Sequence, residues 1–171
     1  MSLSNLFEQG NVVSVLYPSD LQTKVTADWI NMNEYHAMDL IVFKGAGTAA
    51  DDPTLTIQQA TSSAGAGAKD LNIDHYYLKE GTLLSTTSIG GTFTKTTQTA
   101  SNTIVGGAAS AESQWICGVH IEADMLDVSG GFNWVTANIA DVGSNAQLGC
   151  ILAVMYPARF KDDSGGVNPL V

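Results

Sequence analysis

Three apolar runs, at residues 115–121, 132–139 and 150–156, sit close together in the last third of the chain, with polar turns at 122–131 and 141–147 between them. Side chains alternate across a pleated strand, so Phe132, Trp134, Thr136 and Asn138 share one side of the middle run. Asn133, Val135, Ala137 and Ile139 share the other. The run 150–156 is apolar on both sides, the pattern of a strand covered above and below. Pro157 is expected to end it, because proline offers no ladder N–H. Three core strands result, and the rest of the chain must cover them.

A chain of 171 residues is most simply one domain. At this length folding buries roughly 70% of the unfolded surface, enough for a core without disulfide or metal staples. Seventeen glycines, abundant Thr, Ser and Ala, and only 14% charged residues favour a turn-rich β protein over a helical one. The net charge of −10, with seven Lys and Arg in all, repels phosphate backbones and anionic lipid surfaces. Direct nucleic-acid binding and membrane association are therefore not expected. No apolar run approaches the ~20 residues of a membrane helix. Residues 1–8 lack a basic segment followed by a long apolar one, so no signal peptide is expected, and the protein is expected to be made, and first to fold, in a cytoplasm. Cys117 and Cys150 both fall in apolar runs. A disulfide, a metal pair and two small buried hydrophobes are the possible roles, and no CxxC or Cys/His spacing supports zinc.

Residues 1–20 read as an N-terminal arm. Leu3, Leu6 and Phe7 could form a helical turn, and 11–17 a strand stopped by Pro18-Ser19-Asp20. Either the arm reaches a neighbouring subunit, with Leu3, Leu6, Phe7, Val12, Val13, Val15 and Tyr17 as its contact residues, or its strand belongs to the chain's own sheet. Further strands are expected at 26–32, 38–43 (central, apolar on both sides), 54–59 with Leu55 and Ile57 inward, 70–79 with Leu71, Ile73 and His75 on one side, 83–89, 92–98 and 103–105. Gly90-Gly91 suits a hairpin, and 60–68 and 106–113 read as loops. The turn at 123–127 has room for one helical winding, capped by Asp124. The total is nine or ten strands with no amphipathic helix and no fixed-period repeat. The expected fold is all-β: a two-sheet antiparallel β-sandwich over 21–160, in jelly-roll or related Greek-key order, with the extended arm before it and a flexible tail at 161–171.

Few residues suggest chemistry. Asp163-Ser164-Gly165-Gly166 has the residues that surround a trypsin-like nucleophile, but lies too late in the chain for that fold. Lys44-Gly45-Ala46-Gly47 and Gly65-Ala66-Gly67-Ala68-Lys69 lack the GxxxxGK[ST] order of a phosphate loop and do not open helices. Tight turns account for them. His36, His75 and His120 have no nucleophile nearby in sequence, and His120 with Glu122 on one strand side is the single local hint of acid–base chemistry. Asp51-Asp52, Glu122, Asp124, Asp127 and Asp141 are acidic turns without EF-hand spacing. Trp29, Trp115 and Trp134 suit core anchors better than a carbohydrate platform. No catalytic residue, cofactor or metal is assigned.

A series of segments carries a resemblance. Trp29-Ile30-Asn31-Met32-Asn33-Glu34-Tyr35, Leu40-Ile41-Val42-Phe43-Lys44-Gly45-Ala46-Gly47 and Asp52-Pro53-Thr54-Leu55-Thr56-Ile57-Gln58-Gln59-Ala60 are followed by Gly65-Ala66-Gly67-Ala68-Lys69 and Phe93-Thr94-Lys95-Thr96-Thr97-Gln98. Asp124-Met125-Leu126-Asp127-Val128, Gly131-Phe132, Ala140-Asp141-Val142-Gly143-Ser144-Asn145-Ala146-Gln147-Leu148-Gly149-Cys150 and Pro157-Ala158-Arg159-Phe160 complete it. From about Trp29 to Phe160 the chain resembles the capsid decoration (cement) proteins encoded near the major capsid gene of tailed bacteriophages. The resemblance implies a non-enzymatic virion structural protein on the capsid exterior. It would bind the major capsid protein and bridge its subunits, with copies of itself as a further partner, a homotrimer before a dimer. The alternative is a receptor- or glycan-binding module on a phage tail or fibre, which would need an exposed aromatic cleft.

Overall fold

The computed structural model describes residues 10–22, 26–48, 53–81, 92–105, 114–140, 145–158 and 169–170. These form eleven strands and two single-turn 3-10 helices. The strands are β1 (Asn11–Asp20), β2 (Ile30–Asn31), β3 (Tyr35–Lys44), β4 (Thr54–Ala60), β5 (Lys69–Asp70), β6 (Ile73–Gly81), β7 (Thr94–Ser101), β8 (Thr103–Val105), β9 (Gln114–Glu122), β10 (Trp134–Ile139) and β11 (Leu148–Ala158). A six-stranded sheet runs β1-β11-β3-β9-β6-β7, and a five-stranded sheet runs β2-β10-β4-β5 with β8 also paired to β4. All pairings are antiparallel. The expected strand at 83–89, the Gly90-Gly91 connection and the expected loop at 106–113 lie outside the described residues.

The two sheets share one core. Met38, Leu40 and Val42 of β3, Cys117, Val119 and Ile121 of β9, and Ile151, Ala153 and Met155 of β11 belong to one buried cluster with Leu55 and Ile57 of β4 and Val135, Ala137 and Ile139 of β10. Each fully buried aliphatic side chain contributes roughly 1.5–3 kcal/mol, set against the chain entropy lost on folding. Leu55 and Ile57 point inward as their alternation requires. The chain passes from β7 in one sheet to β8 in the other through Asn102 alone, whose carbonyl accepts from Ile57 N at 2.8 Å. Gln98 Nε2 ties this corner by donating to the Ile73 carbonyl at 2.9 Å.

Several expectations are corrected. The runs at 38–43 and 150–156 are not covered on both sides. Ile41, Phe43, Leu152 and Val154 point away from the core and are half-buried or exposed. Among the described residues no third layer covers them. Pro157 lies inside β11, whose pairing with β3 runs on to Ala158↔Tyr35. The described pairing with β1 has already ended at Met155, so a missing N–H on that side breaks no described ladder bond. In β6 a register shift between Ile73 and His75 puts Ile73 in the core and turns His75 outward. Such a bulge reverses the alternation that periodicity alone would continue. At 26–32 only Ile30 and Asn31 pair as a strand. Residues 26–29 instead run extended across β10, where Thr136 Oγ1 donates to the Asp28 carbonyl at 3.0 Å and Ala27 N donates to Asn138 Oδ1 at 3.1 Å.

The turn after β9 winds twice. Its first winding, Ala123–Met125, is capped by Glu122 rather than Asp124. The second, Val128–Gly130, is capped by Asp127, whose Oδ1 accepts from Gly130 N at 3.0 Å. β1 is an edge strand of the chain's own sheet, so the strand part of the N-terminal arm is integrated. At the far end Pro169 is buried, its carbonyl accepting from Asn31 N at 2.7 Å, and Leu170 packs on the core. These two residues of the expected flexible tail are thus docked. The described residues contain no helix long and apolar enough to cross a membrane.

Candidate functional site

The outward face of the six-stranded sheet carries a group of exposed and half-buried apolar side chains. Register places its side chains in rows. Ser14, Leu152, Ile41, Gly118, Tyr77 and Lys95 lie across all six strands. Cys150, Phe43, Ile116 and Lys79 form the next row, and Val12, Val154, Asp39 and His120 the row on the other side. Val12, Phe43, Tyr77 and Leu152 keep 36–37% of their surface in water. Half-exposed aliphatic and aromatic side chains on a continuous sheet face are the physical signature of a protein-binding surface. The centre carries no charge. Charges sit at the margins, with Asp39 and Glu122 towards one end and Lys79 and Lys95 towards the β6–β7 side.

At the acidic margin three strands bring together a polar cluster. His120 Nδ1 lies 2.7 Å from Asp39 Oδ1, and the Tyr156 hydroxyl donates to Asp39 Oδ2 at 2.6 Å. His120 Nε2 faces Glu122 Oε1 at 3.6 Å. Partial burial, and then the hydrogen bond to Asp39 and the charge it carries, push the Tyr156 phenol well above its ordinary pKa. The phenol therefore stays a donor. This geometry orients an imidazole as in a catalytic dyad. Among the described residues, however, no serine, threonine or cysteine hydrogen-bonds the ring. A neighbouring cleft of about 300 Å³ is lined by His36, Ala37, Glu122, Ala123 and Asp124. Among the described residues no three His, Cys, Asp or Glu side chains converge to hold a metal ion. The cluster is a hydrogen-bonded polar margin, and His120 with Glu122 was its only part visible in the sequence.

The other candidates separate. His75 pairs with the adjacent Asp74 at 2.6 Å. Asp127 meets Lys69 at 2.5 Å, and Lys69 also lies 3.8 Å above the Phe132 ring. Lys69, Ser129 and the Gly130 N–H together hold the Asp127 carboxyl below the usual range. Trp115 is buried, and Trp29 is half-buried against Gly65, so neither offers an open sugar platform. Cys117 points into the core and Cys150 outward, both as free thiols. Asp51, Asp52, Asp141 and the segment 163–166 lie outside the described residues.

Of the arm residues read as partner contacts, Leu3, Leu6 and Phe7 lie outside the described residues. Val15 is buried in the core and Val13 packs against it, while Val12 and Tyr17 are exposed. Sequence reading did not single out Ile41, Phe43, Ile116, Gly118, Tyr77 and Leu152 as a face. The available signal was the apolar content on both sides of 38–43 and 150–156. The described residues form two sheets, and one side of each of these strands looks outward. Comparison with known proteins returned nothing: no protein-family model, no curated protein and no solved structure matches the chain.

Proposed function

We propose that this chain is a non-enzymatic virion structural protein that binds the outer surface of a tailed-phage capsid and stabilises the shell by bridging capsid subunits. The observation that carries the reading is the half-exposed apolar face of the six-stranded sheet, a surface suited to adhesion to another protein. The resemblance of the segments between Trp29 and Phe160 to decoration proteins supplies the identity of the shell. An acidic chain repels packaged DNA and suits the exterior of the particle. Made in the host cytoplasm, it would add to heads already assembled, and many copies on a matching lattice would turn modest single contacts into firm attachment. Shell stabilisation then follows by mass action, because the complete site exists only on the assembled shell.

The jelly-roll or Greek-key order belongs to this reading. Its support is the chain's repeated passage between sheets, from β3 to β4 to β6 and from β9 to β10 to β11. An N-terminal arm that reaches a neighbour belongs to it as well, supported by the edge position of β1 and the exposure of Val12 and Tyr17. The test is to add the purified protein to expanded heads assembled without it. Saturable binding and a higher temperature of DNA release are expected. Absence of binding to the heads refutes the assignment.

A further inference from the structure

Gly118 occupies the middle of the outward face and has no reason within the chain to be glycine. It pairs in unbroken register with Ile41 on one side and Tyr77 on the other, so it marks no bulge. Its φ is not positive. A side chain there would meet nothing closer than Tyr77 Cβ at 3.8 Å, so neither the core nor the Tyr77 ring requires the space. The Tyr77 ring instead meets His75 edge-on, with centroids 5.9 Å apart. Glycine inside a strand weakens it and otherwise marks a place where another group approaches closely. By register Gly118 is flanked by Ile41 and Tyr77 on the neighbouring strands and by Ile116 and His120 along its own, with Leu152 one strand beyond Ile41.

We infer that this face pairs with the same face of a second copy about a twofold axis passing near Gly118. This rests on the reading of the protein as an adhesive structural subunit and names the partner that covers this face, so that contact with the shell falls to the exposed edge strand β1. Charge selects the occupant. Asp39 and Lys79 lie diagonally across Gly118, one row to either side of it on the two flanking strands, with Glu122 farther out on the acidic side and Lys95 farther out on the basic side. A twofold axis in the plane of contact brings the acidic margin of each copy onto the lysines of the other. Each copy thus presents a self-complementary surface, as an isologous contact requires. Among the described residues the remaining lysines are spoken for, since Lys44 is buried and Lys69 is bound to Asp127. The chain's net −10 repels a second copy only weakly at physiological salt, where charges beyond about 8 Å are screened. Size fits as well. Six strands about 4.8 Å apart and roughly nine residues long at about 3.3 Å give a face on the order of 700 Å², close to the ~800 Å² per partner of a standard interface. A pair, and not the trimer that the resemblance suggests, is the unit this face builds.

The experiment is sedimentation velocity of the full chain over a concentration series, comparing wild type, Gly118→Arg, Leu152→Lys and Val128→Arg. Val128 is exposed on the 3-10 turn away from this face and serves as a charge control. Wild type and Val128→Arg should form a dimer. Gly118→Arg should raise its dissociation constant by about 30-fold or more, the scale of a central interface position. Its far-UV circular dichroism should be unchanged. If Gly118→Arg fails to fold, Leu152→Lys decides, since Leu152 is already part-exposed. Lys95→Glu should weaken the dimer, and Lys95→Glu with Glu122→Lys should restore it. A monomeric wild type, a trimer, or a dimer indifferent to both face variants overturns the inference. Should the monomeric wild type bind heads and Gly118→Arg not, the self-pairing falls while the capsid function stands. Failure of head binding with an intact, Gly118-dependent dimer does the reverse.

Discussion

Cys117 and Cys150 lie on opposite faces of one sheet, with β3 between their strands. Cys117 sits beside Val42 in the core, and Cys150 beside Phe43 on the outward face. No disulfide can form across a sheet in this way without displacing the backbone. Burial raises the pKa of both thiols, that of Cys117 to about 12. In the native protein a thiol reagent should therefore label Cys150 alone and slowly, and Cys117 only after denaturation. Mass spectrometry of the labelled peptides reads this directly. Labelling of Cys117 at the native rate of Cys150 contradicts the assigned faces.

The same burial sets a dependence of stability on alkaline pH. The unfolded Cys117 thiol ionises near pH 8.5, while the folded one holds its proton to about 12. A raised pKa contributes nothing adverse below the unfolded value. Above it, the unfolded state gains by losing the proton, so stability falls as pH rises through this window, at up to about 1.4 kcal/mol per pH unit. Other groups titrate there too, so the comparison is with Cys117→Ala. The difference in unfolding free energy between wild type and Cys117→Ala should be constant from pH 6 to 8 and shift against wild type from pH 9 to 11. Parallel curves throughout exclude the effect.

Gly65 and Gly67 test the turn that supports Trp29. Both have positive φ, 73° and 64°. A side chain at Gly67 meets nothing within 4 Å, but one at Gly65 would lie 2.9 Å from the Trp29 ring. Gly67→Ala should cost about 1–2 kcal/mol, the strain of a left-handed residue. Gly65→Ala should cost more, because the indole must move as well. Urea unfolding followed by tryptophan fluorescence measures both. Equal costs refute the contact.

Asp127 couples the turn after β9 to the five-stranded sheet. It accepts from Lys69, Ser129 and Gly130 N–H, and its own N–H donates to Gln59 Oε1 at 2.8 Å. Its folded carboxyl pKa is lowered. The resulting stability is present above the unfolded carboxylate pKa of about 3.9 and is lost as pH falls through the folded value. Asp127→Asn should melt below wild type at pH 7, and the gap should shrink as pH falls below about 4. A gap that persists unchanged at low pH assigns the loss to something other than the charge.

The strand content, the three core runs, the inward set Leu55 and Ile57 and the loop at 60–68 were legible in the chain itself, because alternation and turn residues act over a few positions. Periodicity also exposed the strength of β3 and β11, but not which of their two apolar sides would face water. That depended on the number of layers, which no local pattern contains. The bulge that turns His75 outward, the joining of Asp39, His120 and Tyr156 from three separate strands, and the open dimple at Gly118 were decided by cross-strand register. Register between β3, β9 and β11 is set by pairings of residues 71 to 123 positions apart. Local chemistry therefore dictated the material of the sheets, and only their mutual alignment created the surface on which the proposed function rests.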